Sequence, residues 1–172
     1  MLDGAAPSFP RSVDRLLVIP PAAGCDDLIV PLRHVRAAMP RATLVLLADR
    51  AVGAGVDVDE VVPDRALARF DPAGLSGLIR ELAAARLAAA VVFTDEGESA
   101  FEAAYLAYLA GVRVRAGFAG EFGGGVLAPA VGPPPVGTAG AARHLFLLDA
   151  LGLGATATAA VKARLSCDDS AS

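Results

Sequence analysis

The sequence predicts an α/β protein, a Rossmann-like three-layer α/β/α domain with a mostly parallel sheet. Three observations predict it. Short continuous apolar runs such as "RLLVI" and "TLVLLA" have the length and composition of strands buried on both faces. Longer stretches between them carry apolar residues at helical spacing. The two kinds alternate, which is the rhythm that crossover connections impose on a parallel sheet covered by helices on both sides.

Strands are expected at Arg15–Ile19, Thr43–Ala48, Glu60–Pro63, Ala89–Thr94 and Val112–Gly117, the last alternating as a strand nearer an edge does. After the first strand, "LIVPLRHVRAAMP" places Leu28, Leu32, Val35 and Met39 on one helical face. Asp71 as N-cap and Pro72 in the first helical position open a second helix, with Leu75, Leu78, Ile79 and Leu82 on its apolar stripe. Ser99 and Glu102 have the spacing of a capping box before "AAYLAYLA", and Gly111 closes that helix. A last helix runs from Ala142 to Gly152 with Leu145, Leu148 and Leu151 on one stripe.

The stretch from Pro129 to Gly140 reads as an extended connector. Residues 15–153 are expected to form the domain, residues 1–14 a flexible segment, and residues 154–172 a tail or the start of an interdomain linker.

Composition narrows the function classes. The chain has 172 residues, enough for one domain with a substantial core. Its net charge of −4 gives no general attraction to nucleic acid. The longest uncharged stretch, Phe122 to Ala142, is broken by prolines and is not a transmembrane helix. The opening "MLDGAAPSFPRSVDR" lacks the charge pattern and apolar segment of a signal peptide, so a cytoplasmic protein is expected. Cys25 and Cys167 are far apart and have no metal-ligand spacing, so two reduced thiols and no metal are expected.

Chemistry is expected at the turns leaving the strands. "PPAAGCDDLIVPL" follows the first strand and has a single glycine, Gly24, so it is neither a phosphate loop nor a dinucleotide fingerprint. Of its adjacent carboxylates, Asp27 suits a helix N-cap, which leaves Asp26 to point into the cleft as a general base. "TDEGES" leaves the central strand at the same end, so Asp95, Glu96 and Ser99 are candidates for lining the cleft, with capping as the competing role of Ser99.

"EFGGGVL", with Gly123 and Gly124, is either an amide cradle for an anion or a surface loop. His34 and His144 are expected at the surface. Arg113 and Arg115 share a face, as solvated edge charges or as partners of a phosphate or other acidic group.

The order of several stretches resembles the family 9 glycosyltransferases, whose best-known members are the ADP-heptose:lipopolysaccharide heptosyltransferases. "RLLVIP" with its glycine-aspartate turn and "PLRHVRAAMP" resemble the family's opening strand, catalytic loop and first helix. "ATLVLLADR", "VDEVVP", "AYLAGVRVRAGFAGEFGGGVL" and "RHLFLLDALGL" follow in the family's order and resemble its N-terminal domain up to Leu153.

The resemblance implies the acceptor-binding half of a GT-B enzyme. An aspartate of the first loop deprotonates the acceptor, no metal or cofactor is needed, and a nucleotide sugar such as ADP-heptose is held mainly by a second domain. It further implies a glycan or glycolipid acceptor bound near Gly24, Cys25, Asp95, Glu96, Ser99, Gly123 and Gly124, and a place at the inner face of the membrane. Counted back from Pro31, Cys25 stands in the column of the catalytic aspartate, so either Asp26 has taken the role or the site is inactive. The other readings are a non-catalytic sugar-binding relic and a flavodoxin-like ligand-binding domain.

Overall fold

A computed structural model of the chain describes residues 9–10, 12–48, 55–64, 72–120 and 125–154. Its elements in chain order are β1 (Arg15–Ile19), a 3-10 turn (Asp26–Leu28), α1 (Ile29–Ala38), β2 (Thr43–Leu47), β3 (Glu60–Val62), α2 (Pro72–Ala84), β4 (Ala89–Val92), α3 (Phe101–Leu109), β5 (Val114–Phe118), β6 (Ala130–Val131) and α4 (Gly140–Ala150). The strands form one open sheet in the order β3-β2-β1-β4-β5-β6, and every neighbouring pair is parallel. This is the expected Rossmann-like α/β architecture.

Alternation within each strand builds two cores. Leu16 and Val18 of β1, Leu44 and Leu46 of β2, and Ala89 and Val91 of β4 pack with Leu28, Leu32 and Val35 and with Leu147 and Leu148 of α4. Leu17 and Ile19, Val45 and Leu47, and Ala90 and Val92 face the other way, against Leu78 and Leu82 of α2 and Ala104, Leu106 and Ala107 of α3. Because successive side chains of a strand point to opposite faces, continuous apolar runs require helices on both. The result is three layers, with α1 and α4 on one side and α2 and α3 on the other.

The expected helix stripes are largely present. Leu28, Leu32, Val35 and Met39 are all buried, and Gly111 and Gly152 follow α3 and α4 with φ of +81° and +72°. Asp71 lies outside the described residues. Three details differ from expectation. The supposed connector after Pro129 contains β6, which pairs Gly117 with Ala130 and Phe118 with Val131. A strand of two residues in a proline- and glycine-rich stretch leaves no periodic signal to read. β6 also moves β5 inward from the edge, and Phe9 and Val13, expected in a flexible segment, are buried in the core.

Among the described residues, no helix is long and apolar enough to cross a membrane.

Candidate functional site

In a doubly wound sheet the crevice lies outside the carboxyl ends of the strands where the strand order reverses. β1 is flanked by β2 and β4, and successive strands run outward from it in both directions, so the reversal falls between β1 and β4. The loops leaving those two strands carry "PPAAGCDDL" and "FTDEGESA". Each turns on a glycine in the left-handed region, Gly24 at φ +124° and Gly97 at +81°. Together they hold five carboxylates, Asp26, Asp27, Asp95, Glu96 and Glu98.

One of the five ties the loops together. Glu98 Oε1 accepts the Ala22 N–H at 2.9 Å, and its Oε2 accepts the Asp95 N–H at 2.9 Å. This carboxylate, not singled out from sequence, sets the spacing of the two walls. Its partner Ala22 is 76 positions away, so local pattern carries no trace of the contact. Glu98→Ala is expected to cost about 1–3 kcal/mol of stability, read by urea unfolding, and to speed amide exchange at Ala22 and Asp95. Unchanged exchange at both would show that the bonds do not hold the loops.

The first loop divides its three chemical side chains. Cys25 is 2% exposed and belongs to the core between the sheet and the α1/α4 layer, where burial and then the Asp26 charge push its thiol pKa up. It is therefore a protonated core residue rather than an acceptor contact, which corrects its expected role. Asp26 and Asp27 are both exposed in the first turn of the 3-10 segment.

Asp27 is not the helix cap. The 3-10 turn, closed by the Leu28 N–H to the Cys25 carbonyl at 2.9 Å, precedes α1 and makes Leu28 the residue before the helix, with no side-chain cap bond. The Asp27 carboxylate instead lies against the start of α4, where a Cβ added to Gly140 would stand 3.0 Å from Oδ2. A carboxylate there is favoured by the positive end of that helix.

The second loop places Asp95 half-buried and Glu96 exposed. Ser99 Oγ accepts the Phe101 N–H at 3.2 Å, so its hydroxyl serves the start of α3. Gly123 and Gly124 lie outside the described residues.

α4 supplies two buried polar residues, Arg143, not singled out from sequence, and His144, expected at the surface. Arg143 is 8% exposed; its Nε donates to the Thr94 carbonyl at 2.8 Å, and its guanidinium lies 4.6 Å from the Phe118 ring centroid. Among the described residues no carboxylate pairs with it. His144 is fully buried, with its ring edge-on to Phe93 at 5.3 Å. Its Nε2 is 3.9 Å from Asp95 Oδ1, and among the described residues neither ring nitrogen has a hydrogen-bond partner.

Arg115 is also buried, its guanidinium bonded to the carbonyls of Val126, Val112 and Arg113 and lying over Tyr108. It is a structural clamp, not a solvated edge charge; Arg113 remains exposed.

Burial holds the His144 pKa below its ordinary 6.5, against the opposing pull of Asp95, Asp27 and Glu98. The folded state thus favours the neutral ring, a contribution fully present above pH 6.5 and lost as pH falls through the depressed folded value. Urea midpoints are expected to fall from pH 7 to pH 5 more steeply in the wild type than in His144→Gln. Asp59, lowered by its bonds with Arg36 and the Leu44 N–H, adds its own loss only in the carboxylate range below.

Strand order and crevice define the molecule as an open, doubly wound α/β domain with an acid-lined switch point. The fold alone is shared with part of the ADP-heptose lipopolysaccharide heptosyltransferase II of E. coli, at 24% identity and a TM-score of 0.51, over 66% of this chain and 33% of that one. It is likewise similar to a family 9 glycosyl transferase of Veillonella parvula, at 18% identity and a TM-score of 0.66, over 83% of this chain and 43% of the other. The chain thus spans less than half the length of either structure. No family model matches it, and no curated protein does.

Proposed function

We propose that this chain is the acceptor-binding half of an inverting, nucleotide-sugar-dependent glycosyltransferase of the GT-B type, with Asp26 as the general base. The observation that carries the proposal is the exposed Asp26 on the switch-point loop of a fold shared with two glycosyltransferases. An ionised carboxylate at that position suits removal of a hydroxyl proton. In the step proposed, Asp26 takes the proton, the acceptor oxygen forms the bond to the anomeric carbon of the sugar, and the bond from that carbon to the nucleotide diphosphate breaks.

Five carboxylates in the two loops disfavour a diphosphate in this crevice and suit hydroxyl groups as ligands. The leaving diphosphate is therefore assigned to a donor-binding domain beyond these residues, with ADP-heptose as the donor type and neither metal nor cofactor in the chemistry. Arg143, with its stem buried and no carboxylate partner among the described residues, suits an acidic group on the acceptor. Gly24, Asp95 and Glu96 complete the proposed wall. The acceptor class is a cell-surface glycan or glycolipid, met at the cytoplasmic face of the membrane.

The test is titration of the isotope-labelled chain with candidate acceptor oligosaccharides, and separately with nucleotides and flavin. The proposal expects saccharides to shift the amide resonances of Gly24, Asp26, Asp95 and Glu96. Shifts there from flavin or nucleotide, with none from saccharides, would overturn it.

A second reading, a sugar-binding relic, draws on Cys25 in the column of the family's aspartate. Binding of acceptor without transfer, when a donor-binding half and ADP-heptose are supplied, would favour it.

A further inference from the structure

His144 is the costliest polar group at the switch point. It is fully buried, and among the described residues neither Nδ1 nor Nε2 has a hydrogen-bond partner. A neutral imidazole carries one N–H, and leaving that donor unsatisfied in a core forfeits a hydrogen bond worth having. An apolar side chain would fill the same space against Phe93 without that loss. The exception calls for a role.

The surroundings indicate where the donor is aimed. Among the described residues, the carboxylate oxygen within 4 Å of a ring nitrogen is Asp95 Oδ1, 3.9 Å from Nε2, on the loop leaving β4. That separation is too long for a hydrogen bond, and closing it by about 1 Å would make one. Asp95 has the freedom to move, since its side chain is 36% exposed while His144 is held by packing. Its backbone is fixed by the Glu98 bond to its N–H, so the motion required is a side-chain rotation. The other charged groups facing His144 are Asp27 from the first loop, Glu98 from the same loop as Asp95, and Arg143 from α4 itself. Arg143 is committed through Nε to the Thr94 carbonyl, Glu98 to two backbone N–H groups, and the Asp27 carboxylate lies against Gly140 at the start of α4, which leaves Asp95 as the acceptor in line.

We propose that His144 is a positioning residue for Asp95: its Nε2–H donates to the Asp95 carboxylate when that side chain turns inward, fixing the orientation of the second loop's acid at the crevice. One carboxylate oxygen is held from below and the other remains for a ligand hydroxyl. The relevance of this pair to sugar binding rests on the function proposed above, but the pair itself is testable in the ligand-free protein.

The chain has only two histidines, so ring-nitrogen NMR separates His144 from His34 with the single variant His34→Gln. The proposal expects His144 as the Nε2–H tautomer, with a downfield, exchange-protected ring proton. In Asp95→Ala that proton moves upfield and exchanges roughly tenfold faster. In Asp27→Ala it stays in place. Asp95→Asn, which keeps an acceptor oxygen, retains the protection, and guards against a folding defect in the alanine variant.

An Nδ1–H tautomer, or a ring proton indifferent to Asp95→Ala, would overturn the pairing. If the pairing holds while saccharides leave the loops unmoved, the functional reading fails and the positioning role stands.

Discussion

Asp26→Asn is expected to lower sugar transfer by roughly 100- to 10,000-fold when the chain is supplied with a donor-binding half, the range that loss of a general base produces. The substitution keeps size and shape and removes only the ability to take a proton. Because Asp26 is exposed and contributes no cap bond, the unfolding midpoint of the variant should be close to that of the wild type. Acceptor binding should survive, so the loss falls on kcat rather than on KM. Asp27→Asn serves as the internal comparison, since the Asp27 carboxylate lies against Gly140 at the start of α4. A full loss in Asp27→Asn with an active Asp26→Asn would assign the base to the neighbouring residue.

Cys25→Asp is expected to destabilise the fold, by on the order of 3 kcal/mol at pH 8, without adding activity. By sequence alone this substitution restores the acid of the family's catalytic column. The buried position of Cys25, 2% exposed among Leu28, Leu32 and Leu148, reverses the expectation. A carboxyl group placed there loses its hydration, which raises its folded pKa above the unfolded one. The penalty therefore sets in above the unfolded carboxyl's ordinary value of about 3.9 and grows as pH rises, so it is smaller at pH 5 than at pH 8. Cys25→Ala, which adds no charge, should cost far less at either pH. Urea unfolding of the two variants at pH 5 and pH 8 reads the difference. A stable Cys25→Asp that gains transferase activity would show that the loop rearranges, and would place the native site among inactive relics.

The two expectations divide the opening loop between its neighbours. A thiol faces the core and an acid faces solvent, because the 3-10 turn rotates each successive side chain around its axis. The adjacent aspartates could be read from sequence as one base and one cap, and the structure changes the second assignment alone. The cap is absent because the chain enters α1 through Leu28, and Asp27 finds another helix end instead.

The architecture was legible because it rests on short-range regularities. Runs such as "RLLVI" and "TLVLL" cannot be solvated on either face, and each demands cover on both sides. Pro72, Gly111 and Gly152 mark helix ends through backbone geometry that only the local chain determines. From these the parallel sheet and the loops at its carboxyl end follow without knowledge of any contact.

What the tertiary structure alone decided is which side chains meet at that end. The final helix was read with Leu145, Leu148 and Leu151 on its buried stripe, yet the buried residues are Arg143, His144, Leu147, Leu148 and Leu151. Leu148 and Leu151 are buried as expected, but a rule that scores arginine and histidine as polar centres the stripe on Leu145 and misses the two residues that go inside. Phe93, Phe118 and the Thr94 carbonyl, contributed by β5 and the end of β4, supply the ring contacts and the acceptor that let both residues go inside. Glu98 shows the same division, since its two bonds join loops that are neighbours only after β1 and β4 have paired. Periodicity and turn chemistry are local properties and can be read from the chain. Desolvation and long-range hydrogen bonding depend on partners that folding brings together, and they determine which acids remain exposed at the switch point.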